Sequence, residues 1–321
     1  MVHANQTMPS SEHFEIQKLA EGVYAAVASE SGAAFSNSGI IDLGDLTLVF
    51  DTFETSKAAE DLRATAEFLT GRLPTYVINS HNHADHWFGN QAFAGQATII
   101  STHKTRDLML VYLEELKTLK QNPSELSSTL QENLRLLEAE NDPKKRPAIE
   151  GYVARLKHSL ESLPNLELIL PNQTFGSKVI FYGTQRFAEL IALGNGHTCG
   201  DCFLSLPEER IAFLGDLAFF NRQPYMEDCD FGAWKNILEE ISQSKLKTFV
   251  PGHGPVGKKS DLLLLLQYLN ALENLIVRVK QAGGSLEDAL KVPLPEPFVG
   301  WQHAGHHRFE DNVRFLFKHL S

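Results

Sequence analysis

Apolar and polar positions alternate between residues 14 and 50, and many of the apolar ones are β-branched. The runs GVYAAVA and GIIDLGDLTLVFD therefore predict strands, with Gly44 and Asp45 turning a hairpin. At 55–69 the period lengthens. Ala58, Leu62, Ala66 and Leu69 recur at helical spacing, and Gly71 is placed to end the helix. Short strands are predicted at 75–79 and, in the run ATIIS, at 97–101.

Residues 103–163 differ in character. Leu108, Val111, Leu116 and Leu119 keep a helical spacing, as do Leu126, Leu130, Leu134 and Leu137, then Val153, Leu156, Leu160 and Leu163. Pro123 and the run Asn141, Asp142, Pro143 divide the segment into about three helices. It has the pattern of a helical insertion, serving as a cap on the core, a lid over a site, or a surface for homodimerisation. Strands resume with LELIL, KVIFY, FAELIAL, CFLSL and RIAFLGD. A helix at 231–242, a strand at 247–250, a long helix at 261–282 closed by Gly283 and Gly284, and a last helix at 308–320 follow. Strands, helices, strands and helices in that order, without an internal repeat, predict two sheets flanked by helices.

A length of 321 residues suggests two domains by typical domain size, but an α/β fold of this length is often one, and one domain is expected over residues 1–321, with the insertion at about 103–163 and a C-terminal helical tail at about 285–321. A formal charge of −11 disfavours nucleic acid or an anionic membrane as the main partner, because both need a basic face. The only basic run is Lys144, Lys145, Arg146, and the longest apolar run, 262–266, is too short to span a bilayer. Cys199, Cys202 and Cys229 form no disulfide framework, and the first residues lack a signal-peptide pattern, so a cytoplasmic location is expected.

The candidate chemistry is concentrated in SHNHADH, at 80–86, directly after the strand predicted at 75–79. In an extended segment, His81 and His83 point to one side, while Asp85 and His86, on the turn that follows, can face a second point. Two rings are thus available to one metal, and a carboxylate with a ring to another. Three further candidates follow strands: His197 in LGNGHTCGD, Asp216 in IAFLGDLAF after a strand at 211–214, and His253 in TFVPGHGPV after a strand at 248–250. Glycines flank each of them and allow tight turns.

In these motifs, from His81-Asn-His83-Ala-Asp85-His86 to Pro-Gly-His253-Gly, and in LVFDT before them, the chain resembles the metallo-β-lactamase-fold hydrolases. The resemblance implies a four-layer αββα sandwich with a dinuclear metal site at one sheet edge. It implies His81, His83 and His197 on one ion, Asp85, His86 and His253 on the other, and Asp216 between them. Two zinc ions are the implied cofactors, with iron or manganese as alternatives. A hydroxide shared by the two ions is the implied nucleophile, acting on a small ester, lactone, thioester or related bond. The metallated cluster would carry about +2, which suits a small, anionic or carbonyl-bearing substrate. Asp85 is a candidate proton acceptor as well as a ligand, and Tyr225 a candidate general acid. Asp51 and Asp201 are candidate orienters of the imidazoles, whereas Cys199 is expected to pack.

Departures within the family narrow the activity. Asp216 stands where the true β-lactamases usually carry Cys or Ser, so β-lactam hydrolysis is not the expected activity. Gly-His253-Gly replaces the Gly-His-Glu of glyoxalase II-like thioesterases. DHWFGNQAF and the late Trp301 with HHRFEDNVRFLF are similar to the quinoprotein-relay or cyclase-like branch, whose substrates are undefined. His303, His306 and His307 are expected to cap the last helix or lie on the surface. Two other functions stand beside hydrolysis: a mononuclear iron enzyme of the persulfide-dioxygenase type, and a non-catalytic, metal-stabilised binding protein.

Overall fold

The alternating N-terminal region folds as four antiparallel strands: β1 (Phe14–Ala20), β2 (Val23–Ala28), β3 (Ser38–Asp42) and β4 (Thr47–Phe50). The structure is a computed structural model that describes residues 10–143, 145–301 and 308–320. Helix α1 (Ser56–Thr70) crosses over to β5 (Tyr76–Ile78), which lies parallel to β4. Both helix ends are the expected ones. The Thr55 hydroxyl accepts the Ala58 N–H, and Gly71, at φ +70°, donates its N–H to the Glu67 carbonyl. After the short helix α2 (Ala84–Trp87), strands β6 (Thr98–Thr102) and β7 (Gln173–Phe175) extend the sheet in parallel. Between them stand the three helices of the insertion: α3 (His103–Gln121), α4 (Ser124–Ala139) and α5 (Arg146–Ser162).

The second sheet contains β8 (Lys178–Tyr182), β9 (Phe187–Gly194), β10 (Asp201–Leu206), β11 (Ile211–Phe219), β12 (Thr248–His253) and β13 (Gly257–Lys258), neighbours in that order. All its pairs are antiparallel except β11 with β12, which α6 (Phe231–Gln243) connects. Helices α7 (Lys259–Gln281), α8 (Leu286–Leu290) and α9 (Arg308–His319) complete the described chain.

Three apolar clusters separate four layers. Along each strand the side chains alternate between two of them, because successive residues point to opposite faces. Ile41, Leu48, Phe50, Ile78 and Ile100 of the first sheet meet Leu190, Leu204, Phe213 and Val250 of the second. Their neighbours Ile40, Val49, Val77 and Ile99 face the other way, onto Ala58, Leu62 and Ala66 of α1. Ala212, Leu214 and Phe249 pack outward against α6, α7 and the tail, including Trp234, Leu269, Trp301 and Leu316. With both faces covered, the strands read as nearly continuous apolar runs. The sheets approach so closely that a Cβ on Gly39 would lie 2.5 Å from the Phe213 ring. This is the α/β sandwich of two sheets between helices that the sequence leads one to expect.

Several details differ. LELIL is irregular rather than a strand. It lies between a 3-10 turn at Leu163–Asn165 and Pro171, and the Ile169 carbonyl accepts from the Asn90 side chain instead of joining a ladder. The edge strand is β7 instead. Strand β11 runs on to Phe219, so Asp216 lies within it, directly after Gly215 (φ +53°), where the ladder to β12 shifts register. His253 is likewise the last residue of its strand, not a loop residue. Strand β13 and helix α8 have no counterpart in the pattern of the sequence. By length and composition α7 could cross a membrane, but its Leu262, Leu265, Leu269, Leu272 and Ile276 are buried in the outer cluster.

The insertion breaks into helices where Pro123 and Pro143 stand. Helix α5 anchors Ile149, Val153 and Leu156, and α3 sets Tyr112 against Trp87 and Phe88, with ring centroids 5.8 and 5.7 Å away. Its outer side leaves Leu110, Val111 and Leu136 exposed. His303, His306, His307 and Lys144 lie outside the described residues.

Candidate metal centre

The parallel strands β4 and β5 end side by side, which places Asp51 against the segment that follows β5. Asp51 has a left-handed backbone (φ +61°) and is fully buried. It accepts the Ser80 N–H and the Ser80 hydroxyl, both at 2.7 Å. With its proton on Asp51, the Ser80 oxygen can accept from His81 Nδ1, 2.9 Å away. Asp51 Oδ2 also accepts from His86 Nδ1 at 2.8 Å. This network assigns the tautomers of both rings and turns each Nε2 lone pair inward. One carboxylate thus orients a ring in each half of the cluster.

Helix α2 begins directly after His83, which stands extended at its N-cap, and turns the chain so that Asp85 and His86 join a different group of donors from His83. A buried amide pair supports the turn. Asn79 and Asn90 exchange hydrogen bonds of 3.0 and 2.9 Å, and Thr52 donates to Asn90 at 3.0 Å. His83 presents Nδ1 to His197 Nε2 at 3.0 Å, and its Nε2 meets Asp228 at 2.8 Å. His197 follows β9 in a tight loop, its ring against Trp234 and Phe219. His253 stacks on Phe219, with centroids 5.2 Å apart and ring planes nearly parallel.

Two groups of donor atoms result, each with its atoms within 4.8 Å of one another: His81, His83, His197 and Asp216, and Asp85, His86 and His253. Asp216 spans them. Its Oδ1 lies 3.1 Å from His86 Nε2 and 3.4 Å from His253 Nε2, and its Oδ2 lies 3.4 Å from His197 Nε2 and 3.7 Å from His81 Nε2. The donor set fits divalent cations. His81 Nε2, His86 Nε2 and Asp216 Oδ1 are buried without a hydrogen-bond partner among the described residues, which protein interiors seldom tolerate. All seven side chains are of types that bind zinc or similar ions.

Protonation follows position. Burial lowers the pKa of His197 to about 3 and that of His81 well below the usual value, so both rings are neutral, as ligands must be. Burial also opposes a charge on His86, but Asp216, Asp51 and Asp85 outweigh it and raise the value. For Asp85, burial favours the neutral acid, yet His86, Arg155 and His253 bring it down to about 2. Such an acidic carboxylate is ionised at neutral pH, which suits a ligand and makes Asp85 a weak proton acceptor.

The other candidates fare differently. Asp201 does not touch the His197 ring. It accepts the Thr198 N–H and hydroxyl, so it shapes the loop instead of orienting the imidazole, and burial raises it to about 7. Tyr225 lies beside the site, its ring 5.3 Å from that of His83, while its hydroxyl donates to Glu227 at 3.3 Å. Burial, then Asp228 and Glu227, raise its pKa, so it keeps its proton at neutral pH. Cys199 is half-buried and belongs to neither group. Two residues were missed: Asp228, in the same loop as Tyr225, and Arg155 on α5, whose Nη2 lies 3.8 Å from Asp85 Oδ1. Local pattern offers little signal for either, beyond a charged residue beside apolar ones.

Asp51→Asn should weaken metal binding in both groups by about ten- to a hundred-fold, because both rings lose their orienting acceptor. Competition with a chromophoric chelator measures this, and a loss confined to one group would contradict the shared role.

A family model described as the metallo-beta-lactamase superfamily matches residues 31–253. Among solved structures, the chain is similar to a metallo-beta-lactamase from Pontibacter korlensis at 19% identity and a TM-score of 0.56, covering 80% of this chain and 99% of that one. It is similar to another from Erythrobacter litoralis, with beta mercaptoethanol in the active site, at 16% identity and a TM-score of 0.57, covering 82% and 98%. A third likeness is to FIM-1 from Pseudomonas aeruginosa in its mono-zinc form, at 14% identity and a TM-score of 0.56, covering 83% and 98%. Likeness at these identities is one of fold. Comparison with the curated proteins gives no match.

Proposed function

The chain belongs to the metallo-beta-lactamase superfamily, and we propose that it is a hydrolase that uses two zinc ions to cleave a small ester, lactone, thioester or related bond. The observation that carries this reading is the division of Asp216, with one oxygen toward each group of donors. In this reading His81, His83 and His197 hold one ion, Asp85, His86 and His253 the other, and Asp216 bridges. Two divalent ions held there would supply a nucleophilic water at neutral pH and polarise the scissile carbonyl.

The chain's own groups support that chemistry. Asp51 fixes the inward-facing nitrogens of His81 and His86. Asp228 holds the outer nitrogen of His83, leaving Nδ1 for the centre. Tyr225 keeps its proton at neutral pH and stands beside His83, which suits a donor to the leaving group. The Cys202 thiol is raised by burial, and Cys229 is raised to about 12, so neither competes as a nucleophile at neutral pH.

A panel of neutral and anionic esters, lactones and thioesters, assayed before and after chelation, tests the reading. Turnover of at least one class is expected, abolished by chelation and restored by zinc. One iron per chain with no hydrolysis of any class would replace the hydrolase with the persulfide-dioxygenase type.

A further inference from the structure

The helical insertion reaches the metal centre through one side chain. Arg155, on α5, extends over the Phe35 ring, its guanidinium carbon 5.3 Å from the ring centroid. Its Nε and Nη2 both donate to Glu54 Oε2, at 2.9 and 2.6 Å, and the Ser159 hydroxyl, one helical turn further along, donates to Glu54 Oε1 at 2.5 Å. Glu54 is itself buried and is engaged through both carboxylate oxygens, so it holds one edge of the guanidinium in a fixed orientation. Nη2 then lies 3.8 Å from Asp85 Oδ1, too far for a hydrogen bond. Asp85 Oδ2 points the other way, 3.4 Å from His253 Nε2.

A guanidinium carries five N–H donors in a planar fork. Glu54 uses the Nε donor and one on Nη2. The remaining Nη2 donor and both on Nη1 have no hydrogen-bond partner among the described residues, although Nη2 is ion-paired with Asp85 across 3.8 Å. They form a free edge beside the candidate ligand Asp85, on a side chain that keeps 30% of its surface exposed. A planar edge with parallel N–H groups matches a carboxylate.

We propose that Arg155 is a specificity-determining residue that binds a carboxylate on the substrate, so that the insertion selects acidic substrates for the metal centre. This rests on the two-metal hydrolase reading and adds to it the class of substrate. Glu54 and Ser159 act as positioning residues for the guanidinium. A substrate engaged at both ends would place its reacting carbonyl toward Asp216 and its carboxylate toward Arg155.

The test is calorimetric titration of the metal-loaded protein with acetate and with succinate. Acetate has one carboxylate, which the metals can take. Succinate has a second for Arg155. The wild type should prefer succinate by about ten- to a hundred-fold, the range for a charge-assisted pair. Arg155→Met should abolish that preference with acetate affinity and metal content unchanged, and Arg155→Lys should restore part of it. Absence of a preference in the wild type, or its survival in Arg155→Met, would overturn the proposal. So would loss of metal from Arg155→Met, which would make the residue a prop for Asp85. Binding is read without turnover, so failure of the hydrolase reading appears separately, in the ester panel.

Discussion

Replacing Asp216 with alanine is expected to lower metal occupancy in both groups together and to reduce kcat/KM by roughly a thousand-fold or more. The cause is electrostatic. Five imidazoles converge on a buried volume that contains two carboxylates, Asp85 and Asp216. Only Asp216 faces both groups, through Oδ1 toward His86 and His253 and Oδ2 toward His197 and His81. Without it the first group keeps three neutral donors and no anion, and His86 loses the partner that most favours its charge. Asp216→Asn preserves volume but not charge and should fall in the same direction. Plasma mass spectrometry gives ions per chain, and near-ultraviolet circular dichroism checks that the fold is intact. Two ions and full turnover in the alanine variant would contradict the bridging role.

Gly252→Ala is expected to weaken metal binding and the fold together by a steric route. A Cβ at Gly252 would lie 1.8 Å from Asp216 Oδ1, 3.0 Å from its Cγ and 2.8 Å from the Gly215 carbonyl carbon. Strands β11 and β12 run parallel there, Gly215 opposite Pro251, and the space a side chain would need holds the Asp216 carboxylate. The neighbouring backbone is not free to retreat, since the Gly252 carbonyl accepts from the Asn37 N–H at 2.7 Å. The methyl group must displace Asp216, so metal affinity should fall by at least about ten-fold, with about 2–4 kcal/mol of lost stability. Denaturation midpoints with zinc and with chelator separate the two losses, the zinc-dependent increment shrinking along with the intrinsic stability. Gly176→Ala is the control, because its Cβ would meet nothing within 4 Å. Equal behaviour of the two variants would show that the strands have room to part.

Much of this architecture is legible in the chain because both sheets are covered on both faces. Ile40 and Ile41, or Val49 and Phe50, face two different apolar clusters, so each strand is a short, nearly unbroken apolar run that is visible without coordinates. The insertion's helices end at prolines, which local chemistry dictates. LELIL misleads because its period is that of a strand, while its backbone acceptor at Ile169 is taken by Asn90, far away in the chain.

The candidate ligands were legible for a similar local reason, since four lie together in SHNHADH and the other three each follow a strand beside glycines. Their division between two ions came from family resemblance, and the donor atoms fall into the same two groups. Asp51 could be found from strand adjacency alone. Asp201 could not be assigned correctly, because spacing does not reveal that Thr198 takes up its oxygens. Arg155 and Asp228 were invisible for want of any local signature. Their partners, Glu54 and His83, lie 101 and 145 positions away, and only tertiary packing brings them together.

Asp216 should lie between two metal ions. Anomalous diffraction at the zinc edge from zinc-loaded crystals tests it directly. Two peaks are expected roughly 3.5–4 Å apart, one among His81, His83 and His197 and the other among Asp85, His86 and His253, with an Asp216 oxygen on each. A single peak in either group under saturating zinc, or two peaks with Asp216 bound to only one, would contradict it.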